Sequence, residues 1–276
     1  MGVIKKVKRG YREKLIISGK YAEIEVTPVF VTKRGKKMNI EDKAILKSKE
    51  ISKKQKEAIR KKNARAYAKR RKKEFTRIAH CNFTENDYVI HLTYANENRP
   101  GSIEEAEKEA RNYIRRLNYR RKKKGLEDIK YMIVTEYGES EKGLKNIHHH
   151  MILNGGLTRD EVEEAWSKKG KRIGYVNARR LQFSPDTGLK DLCYYMLKNP
   201  IGKKKWKGSK NLKKPIIEIN YYKWSARKVK NMIRNGIDNK SEWERLYNNE
   251  LDFKGAKHEH NEYLGDLLYA QFVKKE

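Results

Sequence analysis

The chain has 276 residues, with 67 Lys and Arg against 36 Asp and Glu, for a formal net charge of +31. Such an excess repels itself in a compact state, so it points to a polyanionic partner, nucleic acid ahead of an anionic membrane surface. No run of about 18 uninterrupted apolar residues occurs, which excludes a membrane-spanning helix.

Residues 1–80 carry 27 of the basic residues and only 8 of the acidic ones. The basic start MGVIKKVKRG has no apolar stretch after it and does not read as a secretory signal. Two β-rich runs, 15–18 and 21–31, flank Gly19-Lys20 and predict a hairpin. From about 41 to 78 the pattern predicts a very basic helix with a thin apolar stripe of Ile59, Ala66 and Phe75. Excess of one sign along a helix suits a phosphate backbone, and Lys69, Arg70 and Arg71 are the helix residues expected to bind it.

Residues 88–94 alternate and predict a strand. Ser102 is the expected N-cap of a helix over 103–124, with acids in the first turn, Arg and Lys in the last, and Gly125 as its stop. Strands follow at 130–137 and 147–153. Thr158 and Glu161 form a capping-box pattern opening a helix to about 168. A strand is expected over 174–183. Ser184-Pro185-Asp186 then predicts a helix start by N-cap and N1 proline, and that helix runs to about 199. Beyond Pro200 come a basic loop, an apolar run at 216–222 that fits a last strand, and three short helices at about 224–235, 239–249 and 261–273. Cys81 and Cys193 are too few for a disulfide framework or a four-cysteine zinc site, so a reducing, cytoplasmic setting is expected.

Chemistry concentrates in three places. His148-His149-His150 lies inside an apolar strand, and side chains alternate there, so His148 and His150 share one face and His149 takes the other. If 130–137 and 147–153 pair around Lys142 or Gly143, Glu136 faces His148 or His150 across the ladder. Two imidazoles and a carboxylate suit Mg²⁺ or Mn²⁺ when phosphate completes the shell, and Zn²⁺ also fits such a set. The third place is DTGLKDLCYYMLKN, where Leu189, Leu192, Cys193 and Met196 form a core-facing stripe and Tyr194 and Tyr195 flank it. Lys198 lies one turn on from both. A nearby cation and a metal ion favour phenolate over phenol, as attack on a phosphodiester requires. The helical wheel does not separate Tyr194 from Tyr195.

Together these residues resemble the HUH endonucleases. His148-His149-His150 followed by Met-Ile-Leu resembles their His–hydrophobe–His motif, with His149 at the hydrophobe position. Tyr195-Met-Leu-Lys198 resembles their Y-x-x-K motif and singles out Tyr195. The strand at 89–94 resembles the first motif of rolling-circle replication initiators, and the resemblance spans about 86–200. It implies a metal held by His148, His150 and a third polar ligand, Glu136. It also implies Tyr195 as the nucleophile on single-stranded DNA, Lys198 as its electrostatic assistant, a 5′-phosphotyrosine link and a free 3′-OH. Position 191 is Asp and 199 is Asn, so a second catalytic tyrosine four residues away is absent. A transposase or relaxase with the same chemistry is an alternative, and a non-catalytic nucleic-acid-binding protein is one of another class.

The loop 203–214 mixes Lys203, Lys204, Lys205, Lys207 and Lys210 with Trp206, a composition suited to a single strand with a base stacked on the indole. No G-x-x-x-x-G-K-[ST] motif is present, so a host helicase and polymerase are the expected partners on single-stranded and origin DNA in a bacterial cytoplasm. The predicted fold class is α+β. Its core is a central antiparallel sheet of ferredoxin or RRM type, covered by helices. The expected division is a basic N-terminal extension over 1–80, the endonuclease core over 81–222 and a helical extension over 223–276.

Overall fold

The computed structural model describes residues 7–31, 53–140, 143–198, 206–261 and 265–275. In chain order the elements are β1 (Val7–Ser18), β2 (Tyr21–Val31), α1 (Lys53–Asn82), β3 (Tyr88–Thr93), α2 (Ile103–Lys123), β4 (Tyr131–Ser140), β5 (Gly143–Leu153) and α3 (Arg159–Glu164). There follow β6 (Ser167–Lys168), β7 (Lys171–Arg172), β8 (Val176–Arg180), α4 (Lys190–Met196), β9 (Lys207–Gly208), β10 (Ile216–Asn220), α5 (Ala226–Arg234), α6 (Lys240–Arg245), β11 (Leu251–Asn261) and β12 (Gly265–Lys274). The architecture is α+β with antiparallel sheets, as the sequence implied. None of the described helices is long and apolar enough to cross a membrane.

The contacts divide the chain into two compact units, one from Arg71–Pro215 and one from Met1–Arg70 together with Ile216–Glu276. In the first, β3, α2, β4, β5, α3 and β8 follow a βαββαβ order, and the sheet runs β8-β3-β5-β4-β9. With those four main strands counted along the chain, the spatial order is fourth, first, third, second. This is the ferredoxin-like arrangement, and every pairing in it is antiparallel. The strand β5 is therefore central, and its residues His148–Leu153 each have a neighbour on both sides.

Alternation sends β5 side chains to two different layers. Met151 and Leu153 pack with Ile90, Leu92 and Ile133 under Tyr113 and Leu117 of α2 and Trp166 beyond α3. Ile152 packs on the other face with Met132, Val134, Phe75 and Ala79 of α1, and Leu189, Cys193 and Met196 of α4. The predicted caps form: Ser102 Oγ accepts from the Glu105 N–H at 3.2 Å, and Thr158 and Glu161 complete a reciprocal capping box. Gly174 sits where β8 approaches the end of β3. A Cβ there would collide with the Thr93 carbonyl oxygen and lie 2.7 Å from Tyr94 Cα. That same oxygen accepts the Trp166 indole N–H at 2.8 Å, so it is not free to retreat. Gly174→Ala is expected to cost about 2–3 kcal/mol, the scale of overpacking, read as a lower urea midpoint.

The second unit is a five-stranded sheet in the order β10-β1-β2-β12-β11. Trp224, Trp243 and Tyr247 pack on it with Tyr11, Ile24, Phe253 and Phe272. Buried Glu13 accepts from the Trp224 indole N–H at 2.5 Å and from the Tyr247 hydroxyl at 2.6 Å. Strand β2 from the N-terminal hairpin pairs with β12, Val26 opposite Leu268, so the two flanks share one sheet. This differs from the expectation of two separate extensions. The C-terminal segment is not wholly helical either. The expected helix over 261–273 is replaced by β12, because Leu268, Ala270 and Phe272 are buried at every second position against the sheet.

Other boundaries shift as well. The helix expected from Ser184 starts only at Lys190, because Ser184 and Gly188 pair as an isolated bridge that closes a turn around Pro185. The helix α3 stops at Glu164, and Ser167–Arg172 forms a small two-stranded sheet instead. The strand expected over 174–183 is limited to Val176–Arg180. For the basic N-terminal helix, the segment before Lys53 lies outside the described residues. So does the Ile59 side chain, whereas Ala66 is exposed and Phe75 fully buried.

Candidate active site

Register across three strands assembles the site. His150 faces His91 of β3 on one side and Val134 of β4 on the other. His148 faces Thr93 and Glu136. Directly opposed residues share a face, so His91, His148, His150 and Glu136 all project from one side of the sheet. The three imidazole rings lie 4.8–5.0 Å apart between centroids. Their ligand nitrogens all lie within 4.8 Å of one another. Glu136 Oε2 is 3.5 Å from His148 Nε2.

Two polar atoms at this point lack partners. His91 Nε2 and Glu136 Oε1 are buried without a hydrogen bond. Leaving such groups unpaired costs about 1–3 kcal/mol each, and a bound cation relieves that cost at both. His148 Nδ1 lies 2.7 Å from the Asn146 carbonyl oxygen, which only accepts, so Nδ1 carries a proton and Nε2 is the nitrogen turned toward Glu136. Burial, with His91 and His148 adding to it, pushes His150 down to about 4, and burial also lowers His91. Both are neutral imidazoles near pH 7, the form that binds metal. The donors present therefore fit a divalent cation.

His149 faces the opposite layer, as alternation requires, and does a different job. Its Nδ1 is 2.9 Å from Thr135 Oγ1 and its Nε2 is 2.8 Å from the Tyr94 hydroxyl. Tyr94 donates its own proton to the Ala106 carbonyl at 3.3 Å, so its oxygen accepts from His149 Nε2 and Thr135 donates to Nδ1. Burial pushes the His149 ring down to about 3, and it stays neutral. Tyr94→Phe leaves that N–H buried without an acceptor and is expected to cost about 1–3 kcal/mol of stability in chemical denaturation.

The helix α4 carries the tyrosines to the site. Of the expected stripe, Leu189, Cys193 and Met196 are fully buried and Leu192 is half-buried. The Leu189 N–H donates to His80 Nε2 of α1 at 2.9 Å, which satisfies one donor at the helix start. Nothing in the sequence flagged His80 for this role. Burial pushes the Cys193 thiol up to about 12, so it is a packing group rather than a nucleophile. Tyr195 is exposed, and its ring centroid is 5.5 Å from that of His150. Tyr194 turns toward α1, where the Lys72 ammonium lies 5.5 Å from its ring centroid. Lys198 is exposed, and its backbone N–H bonds to the Tyr195 carbonyl at 2.9 Å.

The residues expected to touch nucleic acid are placed less uniformly. Lys203, Lys204 and Lys205 lie outside the described residues. Trp206 is not a free stacking surface: its ring packs edge-on against Phe75 at 5.4 Å and beneath the Arg71 guanidinium at 5.6 Å. Pairing of β9 with β4 draws the preceding residue onto α1. Lys207 pairs with Glu107 at 2.5 Å, and Lys210 is exposed. Lys69 lies 3.8 Å from Glu259, Arg70 is exposed, and Arg71 pairs with Glu74 at 2.6 Å. Such exposed pairs are worth little and yield readily to a phosphate. His91 is the site residue that the sequence reading did not name, although it lies in the expected strand at 88–94.

Residues 87–200 match the model of a protein family described as Replication-associated protein ORF2/G2P. The matched segment contains His91, Glu136, His148, His150, Tyr195 and Lys198, and it supports a protein of the replication-initiator type. No curated protein and no solved structure matches the chain.

Proposed function

We propose that this chain is a metal-dependent, single-tyrosine DNA nickase and strand transferase that initiates rolling-circle replication. The observation that carries the reading is the convergence of His91, His148 and His150 beside the Tyr195 ring, all within the segment that matches the replication-associated family. The three histidines would hold Mg²⁺ or Mn²⁺, with Glu136 beside them. Three nitrogen donors favour Mn²⁺ over the strongly oxygen-seeking Mg²⁺. An ion bound there would supply Lewis-acid polarisation of the scissile phosphate.

The chain's own residues do the rest. The Tyr195 phenol oxygen attacks phosphorus, its proton passes to solvent, and a tyrosine–phosphate ester forms on the 5′ side. The bond to the 3′ oxygen breaks, and that oxygen takes up a proton as a free 3′-OH. The ester keeps the bond energy for later rejoining. A phenol has a pKa of roughly 10, so the step needs help toward phenolate, and Lys198 is assigned that electrostatic role. The Lys72 ammonium against the Tyr194 ring supports a packing and contact role for that tyrosine. The basic residues Lys69, Arg70, Lys207 and Lys210 are assigned to the DNA backbone. A host helicase would open origin DNA, and a host polymerase would extend the 3′-OH.

The test is incubation of labelled single-stranded origin DNA from the protein's own replicon with Mn²⁺, followed by a denaturing gel. A protein–DNA adduct that chelation abolishes is expected. Tight, salt-sensitive binding with no adduct would leave a non-catalytic nucleic-acid-binding protein in place of the nickase.

A further inference from the structure

A second set of metal-ligating side chains lies in the other compact unit, on the hairpin of β11 and β12, and nicking does not use it. His258 and His260 are two positions apart in β11 and therefore share a face. Asp266, at the start of β12, is directly opposite His260 in the register. His258 Nε2 lies 3.1 Å and His260 Nδ1 2.8 Å from the same carboxylate oxygen, Asp266 Oδ1. All three ligand atoms lie within 4.8 Å of one another. Two imidazoles thus compete for one oxygen atom.

Around a tetrahedral ion with metal–nitrogen bonds of about 2.0 Å, neighbouring donor atoms are about 3.3 Å apart. The observed separations from the carboxylate need to widen by only a few tenths of an ångström. The His260 side chain is 63% exposed and those of His258 and Asp266 are 28% and 20% exposed. The cluster is thus held by strand pairing on one side and open to water on the other. An open position for a water molecule or a partner's ligand follows.

We propose that the β11–β12 hairpin is a second metal site, in which His258 Nε2, His260 Nδ1 and Asp266 bind a Zn²⁺-class transition-metal ion. Two nitrogens and one carboxylate oxygen are a borderline-soft set that suits Zn²⁺ and its neighbours, not the all-oxygen preference of Mg²⁺. An ion there would cross-link the two strands near the end of their described ladder. This site is independent of the nickase reading, because it shares no residue with the histidine cluster of the first unit.

The test uses the full chain without any histidine tag, and the His148→Ala/His150→Ala variant to remove the first centre. Equilibrium dialysis against Zn²⁺ in excess Mg²⁺ is expected to give one Zn²⁺ per folded chain of that variant. Adding Asp266→Asn, which is nearly isosteric, or His258→Ala/His260→Ala is expected to weaken binding at least about tenfold. Folding of each variant is checked by far-UV circular dichroism. A folded His148→Ala/His150→Ala protein that binds no Zn²⁺ would overturn the proposal. So would Zn²⁺ binding that persists at full strength in a folded Asp266→Asn variant of it. Either result leaves the DNA adduct assay of the first site unaffected.

Discussion

Tyr195→Phe is expected to abolish the covalent protein–DNA adduct and to lower cleavage of single-stranded DNA by roughly 10³-fold or more, whereas Tyr194→Phe retains most of both. The two tyrosines are adjacent in α4 but point to different neighbours. The Tyr195 ring lies against His150 of the histidine cluster, and Tyr194 lies over Lys72 of α1. Removing one oxygen from Tyr195 deletes the proposed nucleophile and barely alters packing, because that side chain is already exposed. DNA binding is therefore expected to survive the substitution, which separates chemistry from affinity. An adduct that persists in Tyr195→Phe and disappears in Tyr194→Phe would move the nucleophile by one residue.

His91→Ala is expected to reduce metal-dependent cleavage by about 10²–10³-fold and to raise the Mn²⁺ concentration needed for half-maximal activity, with Glu136→Gln costing about tenfold. The difference follows from position. His91 Nε2 is buried and unpartnered within the nitrogen cluster, so its loss removes a proposed ligand. Glu136 stands at the edge of that cluster, 3.5 Å from His148 Nε2, where its carboxylate adds negative charge beside the nitrogens. Equal, large losses in both variants would make Glu136 a ligand in its own right. Loss of activity in Glu136→Gln alone, with His91→Ala unaffected, would make it the third ligand in place of His91.

Much of the core is legible because its cues are local. Alternation marks β3, β4 and β5, and Ser102 and the Thr158–Glu161 box mark two helix starts. The pairing of Glu136 with His148 follows from a hairpin whose centre the sequence places near Lys142. His91 is different. Its place in the cluster depends on β3 joining β5 across the sheet while β4 takes the other side, and no local pattern encodes that order. The C-terminal hairpin was obscured for a related reason. Leu267 and Leu268 in succession read as a helix, although Leu268, Ala270 and Phe272 keep the strand period once β2 is known to lie beside them. His258 and His260 fall in the stretch between two expected helices, and they share a face only because that stretch is a strand. Ser184-Pro185-Asp186 carries the right residues for a helix start but is used in a bridged turn, a choice set by the packing of Leu189.

The pairing of β2 with β12 has a consequence for synthesis on the ribosome. Every strand of the histidine-bearing sheet has emerged before β12 is made, so that unit is free to fold while the chain is still growing. The other sheet must wait with β1 and β2 exposed until the last strands arrive, and its closure spans nearly the whole polypeptide. Nascent chains arrested before β12 should therefore already resist protease over 71–215 while remaining sensitive in the N-terminal hairpin.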